Sequence, residues 1–93
     1  MIRTVVLTRR AQKQLDRAPQ QVNAKMLAWM DAVELDGLKE VRRIPGFHDE
    51  PLRGERAGQR SIRLNRSWRA VYVIRDNGDV ELVSVEEVMN HDY

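Results

Sequence analysis

Arg60-Ser61-Ile62-Arg63-Leu64-Asn65-Arg66-Ser67-Trp68-Arg69-Ala70-Val71-Tyr72-Val73-Ile74 is the stretch that decides the fold. Two runs of strand-forming residues flank Asn65-Arg66-Ser67, a polar trio suited to a three-residue hairpin loop. With that loop, Leu64 faces Trp68, Arg63 faces Arg69 and Ile62 faces Ala70. Strand side chains alternate between the two faces of a sheet. Ile62, Leu64, Trp68, Ala70, Tyr72 and Ile74 therefore share one face, the one turned to a core. Arg63 and Arg69 land side by side on the other. Like charges directly opposite each other cost stability in a sheet. The pair gains nothing structurally, and an anion such as a phosphate would relieve it.

Downstream, Asn77-Gly78 between Asp76 and Asp79 is the strongest short hairpin signal in the chain. It predicts a third strand, so that strands fall at residues 61–64, 68–74 and 80–85. Carrying the register through this turn sets Glu86 opposite Arg69, and an ion pair there would account for one arginine without any ligand. Upstream, residues 38–60 read as loop, broken by Pro45-Gly46, Pro51, Gly54 and Gly58. Before the loop, Val22, Met26, Trp29, Met30 and Val33 recur at helical spacing in a helix that ends at Asp36-Gly37. The methionines and the tryptophan are core at this spacing, not a cofactor site. Ala18-Pro19 separates this helix from a shorter one, capped by Thr8 and burying Ala11 and Leu15. Residues 2–7 begin the chain as a strand. The expected fold is α+β: an N-terminal strand and two-helix hairpin packed on one face of a small antiparallel sheet.

Ninety-three residues suffice for one domain spanning 1–93 and leave no room for a second. There are no cysteines, which removes disulfide and thiolate chemistry and suits a reducing compartment. The opening apolar run is too short for a signal peptide, and no stretch has transmembrane length. The chain is expected to be soluble and cytoplasmic, with no membrane association. No recognised metal-ligand spacing, phosphate-cradling glycine loop or nucleophile-elbow serine is present, so neither a metal nor a cofactor is expected.

Charge is distributed unevenly. Net charge is +2, yet residues 42–75 hold nine arginines against Asp49, Glu50 and Glu55, while residues 76–93 hold six acids and no Lys or Arg. A lysine-free arginine cluster fits phosphate recognition, because the planar guanidinium forks onto phosphate oxygens. A solvated face with surface ion pairs fits the composition equally well. The segment from His48 through Arg53, Arg56 and Arg60, together with Arg66 in the hairpin loop, could track a nucleic-acid backbone. His48 is a candidate acid or base, although an exposed loop histidine with no role is its ordinary reading.

The chain ends on His91-Asp92-Tyr93. RNA can be cut without metal when a 2′-hydroxyl attacks the adjacent phosphorus. That reaction needs a base, an acid for the leaving 5′-oxygen, and cations for the charged phosphorane. Histidine titrates near neutrality and suits either proton role. Tyrosine can donate a proton or stack on a base. Alone, such a terminus is more often exposed polar sequence; beside the arginine pair it gains weight.

Pro51-Leu52-Arg53-Gly54, Arg60-Ser61-Ile62-Arg63-Leu64, Trp68-Arg69-Ala70-Val71-Tyr72, Val83-Ser84-Val85 and His91-Asp92-Tyr93, in that order and spacing, resemble the RelE/HigB branch of the RelE/ParE toxins. With the helical hairpin, the resemblance covers nearly the whole chain. It implies a metal-independent endoribonuclease that enters the ribosomal A site, cleaves mRNA during translation, and is held inactive by a cognate antitoxin. It also implies roles for Arg63 and Arg69 in stabilising the phosphorane and for His91, with Tyr93 beside it, in proton transfer. Arg53 matches a basic position assigned to the substrate backbone. Glu86-Glu87-Val88 departs from the pattern, because RelE-type chains carry a basic residue there. Two rivals follow: a ParE-like toxin that binds DNA gyrase and cuts nothing, and a non-catalytic nucleic-acid-binding module. Gyrase binding needs no acid–base set, and the acidic last strand disfavours an indiscriminate binder.

Overall fold

A computed structural model of the chain describes residues 1–90. The central hairpin forms in the register expected. Strands β3 (Arg60–Arg63) and β4 (Trp68–Asp76) pair Ile62 with Ala70 and Arg63 with Arg69. Asn65 closes the loop by accepting hydrogen bonds at its Oδ1 from the Ser67 and Trp68 amides, both at 2.8 Å, a local turn that its short side chain favours.

The second hairpin departs from expectation. Strand β5 (Glu81–Asn90) pairs Glu81 with Asp76, and the Asn77 amide donates to the Val80 carbonyl at 3.2 Å, so the tight turn centres on Gly78-Asp79 rather than Asn77-Gly78. Asn77 favours this placement: its Oδ1 accepts from the amides of Asp79 and Val80, each at 3.0 Å. A bulge then inserts one residue between the pairs Val71–Glu87 and Tyr72–Val85. Together these offsets bring Met89, not Glu86, opposite Arg69. Glu86 pairs instead with Arg75 at 2.9 Å. The bulge also lets Val83, Val85 and Val88 all reach the core despite their odd spacing.

Strand β1 (Thr4–Leu7) lies parallel to β5 at one sheet edge and the short β2 (Glu50–Pro51) forms the other, giving the order β1-β5-β4-β3-β2. The sheet is thus mixed rather than wholly antiparallel. β1 and β5 lie at opposite ends of the chain and are not joined by a hairpin, so no tight connection forces them antiparallel. Thr8 caps α1 (Arg9–Asp16), its Oγ1 accepting from the Ala11 amide at 3.1 Å. Beyond the end of β1, α1 covers the β5 edge, and Gln14 accepts a 2.7 Å hydrogen bond from the Val88 amide.

Helix α2 (Gln20–Asp36) ends at Gly37, whose φ of 85° lies in the region glycine tolerates best. Residues 38–60 carry more structure than their sequence announces. A one-turn helix, α3 (Leu38–Val41), buries Leu38 and Val41, and strand β2 (Glu50–Pro51) pairs with β3 at the far edge. The helices cover one face of the sheet, where Val22, Met26, Trp29 and Val33 meet Ile62, Tyr72 and Val83. Trp29 and Tyr72 stack at 5.3 Å, tilted by 43°. Ile74 is an exception to the expected core face: it is 39% exposed, lying toward the hairpin tip beyond Tyr72. Val71 and Ser61, on the helix-free face, are nonetheless buried at 2% and 1%. Residues 52–59 fold back toward that face, and Leu52 and Arg56 line a cleft with both.

Candidate nucleic-acid interface

The helix-free face presents the residues of chemical interest. β3 contributes Ser61 and Arg63, β4 contributes Arg69 and Val71, and β5 contributes Glu87 and Met89, all fixed by the ladder. Arg56 reaches this face from a 3₁₀ turn, Gly54–Arg56. Between that segment and the sheet lies a cleft of about 250 Å³ lined by Glu50, Leu52, Arg56, Ser61, Arg69, Val71 and Met89.

Carboxylates organise the cations. Glu50 accepts from Arg69 Nη1 at 3.2 Å and lies 3.6 Å from His48 Nε2. Glu87 binds two arginines at once, Arg10 from α1 at 2.9 Å and Arg56 from the folded-back segment. Arg56 is also held by Gln59, accepting at 2.8 Å. Arg63 is exposed and forms no ion pair among the described residues. The arrangement therefore carries an arginine pair, one of them held by a carboxylate.

The sequence-derived candidates separate into three groups. Arg63, Arg69 and Arg56 are brought to one face, with His48 beside Glu50. Arg53 and Arg66 are exposed in the flanking turns. Arg60 does not join them. It shares the opposite face with Ile62, where its Nε donates to the buried Asp49 at 2.7 Å. Tyr72 donates to the other Asp49 oxygen at 2.6 Å and accepts from Arg42 at 3.4 Å. Partial burial pulls the Arg60 guanidinium down, but the hydrogen bond and charge of Asp49 leave it raised above its ordinary value. Burial, reinforced by Asp49, pushes the Tyr72 phenol up to about 12 against the opposing effect of Arg42. Arg60 is thus a tie between β3 and the segment before β2. Strand alternation, read two residues back from Ile62, puts it on this face.

His91 and Tyr93 lie outside the described residues. Sequence reasoning missed Glu50, Glu87, Ser61 and Met89. For Glu50 the only signal was a carboxylate before Pro51 within a basic stretch; alternation from Arg63 already put Ser61 on this face, its burial required the folded-back segment, and Glu87 and Met89 required the bulge. Glu86, on the same face, is held below the usual carboxylate range by the Ser84 hydroxyl first and Arg75 second, against its partial burial. Among the described residues no three His, Cys, Asp or Glu side chains gather in a way that could hold a metal. No helix is long and apolar enough to cross a membrane.

The helix-backed mixed sheet is a fold known from solved structures: the chain has the fold of the RelE, YoeB, YafQ and ParE toxins of type II toxin–antitoxin systems. It is similar to the YoeB/ParE toxin from Agrobacterium tumefaciens, with 23% identity, 96% of this chain and 99% of that chain covered, and a TM-score of 0.63. The DinJ–YafQ toxin–antitoxin complex of Escherichia coli matches with 19% identity, coverage of 98% and 94%, and a TM-score of 0.72. The archaeal RelE–RelB complex from Pyrococcus horikoshii matches with 20% identity, coverage of 98% and 97%, and a TM-score of 0.70. No family model matches the sequence, and no curated protein is similar to it.

Proposed function

We propose that the chain is the toxin of a type II toxin–antitoxin pair, a metal-independent endoribonuclease that cleaves mRNA on the translating ribosome. The carrying observation is the direct cross-strand pairing of Arg63 with Arg69 on the helix-free face, with Arg56 nearby. Two guanidiniums so placed match the charge that builds on a phosphorane when a 2′-hydroxyl attacks. Glu50 lies against Arg69 and His48 and can take the 2′-proton. His91 and Tyr93 supply further proton-transfer groups. Support for their role comes from chain continuity, since β5 ends at Asn90, next to the Met89–Arg69 pair, and His91 follows. Arg53 and Arg66 extend the basic surface along the RNA backbone.

The partner is a cognate antitoxin, as in the E. coli and P. horikoshii complexes that share the fold. An acidic, partly disordered segment that folds on binding would mask the arginine face. The ribosomal A site as the place of action makes the protein cytoplasmic. Induction in cells, with primer extension on a reporter mRNA, tests the proposal. Discrete cuts in translated regions, lost in Arg69→Ala and His91→Ala with the fold intact, are expected. Growth arrest with intact mRNA and impaired DNA supercoiling would overturn it in favour of a ParE-like gyrase poison.

A further inference from the structure

The floor of the cleft holds a feature that phosphate binding leaves unexplained. Ser61 is 1% exposed, and among the described residues its Oγ has no hydrogen-bond partner. A buried hydroxyl left unpaired is costly, so its placement calls for a ligand that satisfies it. Ser61 lines the cleft together with three apolar side chains, Leu52, Val71 and Met89. An inorganic anion has no use for those walls. The complementary ligand has a flat apolar body, a hydrogen-bonding edge and a tethered negative charge.

Spacing selects the ligand further. Ser61 stands directly opposite Val71, while Arg63 and Arg69 form the next pair on the same face. The diagonal from Ser61 to Arg69 spans about 7–8 Å between side-chain origins. A base seated over Ser61 thus keeps its own phosphate within reach of both arginines. The volume of about 250 Å³ lies below that of a drug-sized site, at roughly 300–1,000 Å³, and suits a single heterocycle. Nucleobases pack through their π faces on apolar side chains, and a methionine sulfur makes favourable contact with an aromatic ring. A serine hydroxyl both donates and accepts, so it can meet a base edge of either kind.

We propose that this cleft is a nucleobase pocket: it takes the base of one RNA nucleotide between Leu52, Val71 and Met89 with its edge on the Ser61 hydroxyl, while that nucleotide's phosphate lies on Arg63 and Arg69. The pocket rests on the assignment of the arginine face to RNA and adds which part of the substrate goes deepest. Base preference at the cut then originates at Ser61 and the walls, and rate at the arginines.

NMR titration of the full chain with inorganic phosphate, and separately with each of the four nucleoside monophosphates, tests it. Phosphate is expected to shift signals near Arg63 and Arg69 only; nucleotides are expected to shift the Leu52, Val71 and Met89 methyls as well. Ser61→Val, which removes the hydroxyl and puts two methyls in its place inside the pocket, is expected to weaken nucleotide binding about tenfold and leave phosphate binding unchanged. Unchanged phosphate binding also shows that the variant is folded. Ser61→Ala is expected to alter the ranking of the four bases. Nucleotides that leave the methyls unmoved, or that bind Ser61→Val as they bind the wild type, would overturn the pocket. If nucleotides seat as described and mRNA stays intact in cells, the pocket stands and the nuclease assignment falls. If mRNA is cut with the same base distribution by Ser61→Val, the pocket falls and the nuclease assignment stands.

Discussion

Arg63 and Arg69 face each other across β3 and β4, and among the described residues only Arg69 has a carboxylate against it. A cross-strand like-charge pair costs a few tenths of a kcal/mol, to about 1. Arg63→Ala is therefore expected to leave the melting temperature unchanged or slightly raised, while RNA cleavage falls by about 100-fold or more. Paired melting curves and cleavage rates read both effects. Tyr72 behaves in the opposite way, because its hydroxyl belongs to the fold. Its phenol keeps its proton up to about pH 12 in the folded chain, against an ordinary value of 10.0. Between those values the folded state binds more protons than the unfolded state, so stability falls as pH rises through that window. Tyr72→Phe is expected to cost about 1–2 kcal/mol near neutrality, by leaving the buried Asp49 one hydrogen bond short. Denaturant unfolding of the variant should also lose the portion of the alkaline decline that belongs to this phenol.

At the scale of elements, the segment between β2 and β3 closes the cleft, and Glu87 holds it there through Arg56 while also binding Arg10 of α1. Both arginines are well exposed, at 67% and 43%, so Glu87→Gln is expected to cost about 1 kcal/mol or less globally. Its local effect is larger in kind. Amides of residues 52–59 should exchange faster in the variant while those of β4 and β5 do not, as hydrogen exchange by mass spectrometry would show. The strand-turn-strand unit around Asn65 was legible in advance because a short polar loop and strict alternation fix a register locally. The second hairpin was legible only as a hairpin. Asn77 offers its side chain to two amides, and the tight turn falls one residue later, on Gly78-Asp79, which moves every later pair. The bulge at Glu86 is invisible in sequence, since nothing in Val85-Glu86-Glu87-Val88 marks which residue the ladder will skip. Short elements such as α3 and β2 escape notice because one helical turn or two strand residues show no periodicity, and their backbone hydrogen bonds are made to partners distant in the chain.

At the scale of the whole molecule, helices on one face leave the other free, and the arginines of β3, β4 and the folded-back segment gather there. Binding of single-stranded RNA to such a face releases counterions. With about three phosphates engaged, by Arg56, Arg63 and Arg69, the logarithm of affinity should fall with the logarithm of salt at a slope near −2. Arg63→Ala should reduce that slope by about 0.7, and Arg60→Ala should not change it. Fluorescence anisotropy across a salt series measures both. A slope that responds equally to Arg60 and Arg63 would mean that the two faces had been wrongly separated.

Sequence alone determined the α+β class, the two long helices and their caps, the β3–β4 register and, with it, the Arg63–Arg69 pair. These follow from contacts between near neighbours and from the twofold and 3.6-fold periodicities, which need no knowledge of the rest of the chain. Tertiary structure decided the parallel placement of β1, the transfer of Arg60 to a buried ion pair, and the pairing of Arg69 with Glu50 rather than Glu86. It also made the cleft over Ser61. Each of these depends on a bulge, a turn displaced by one residue, pairing between distant strands, or a loop folded back over a sheet, where energies of distant groups compete and no local pattern records the winner.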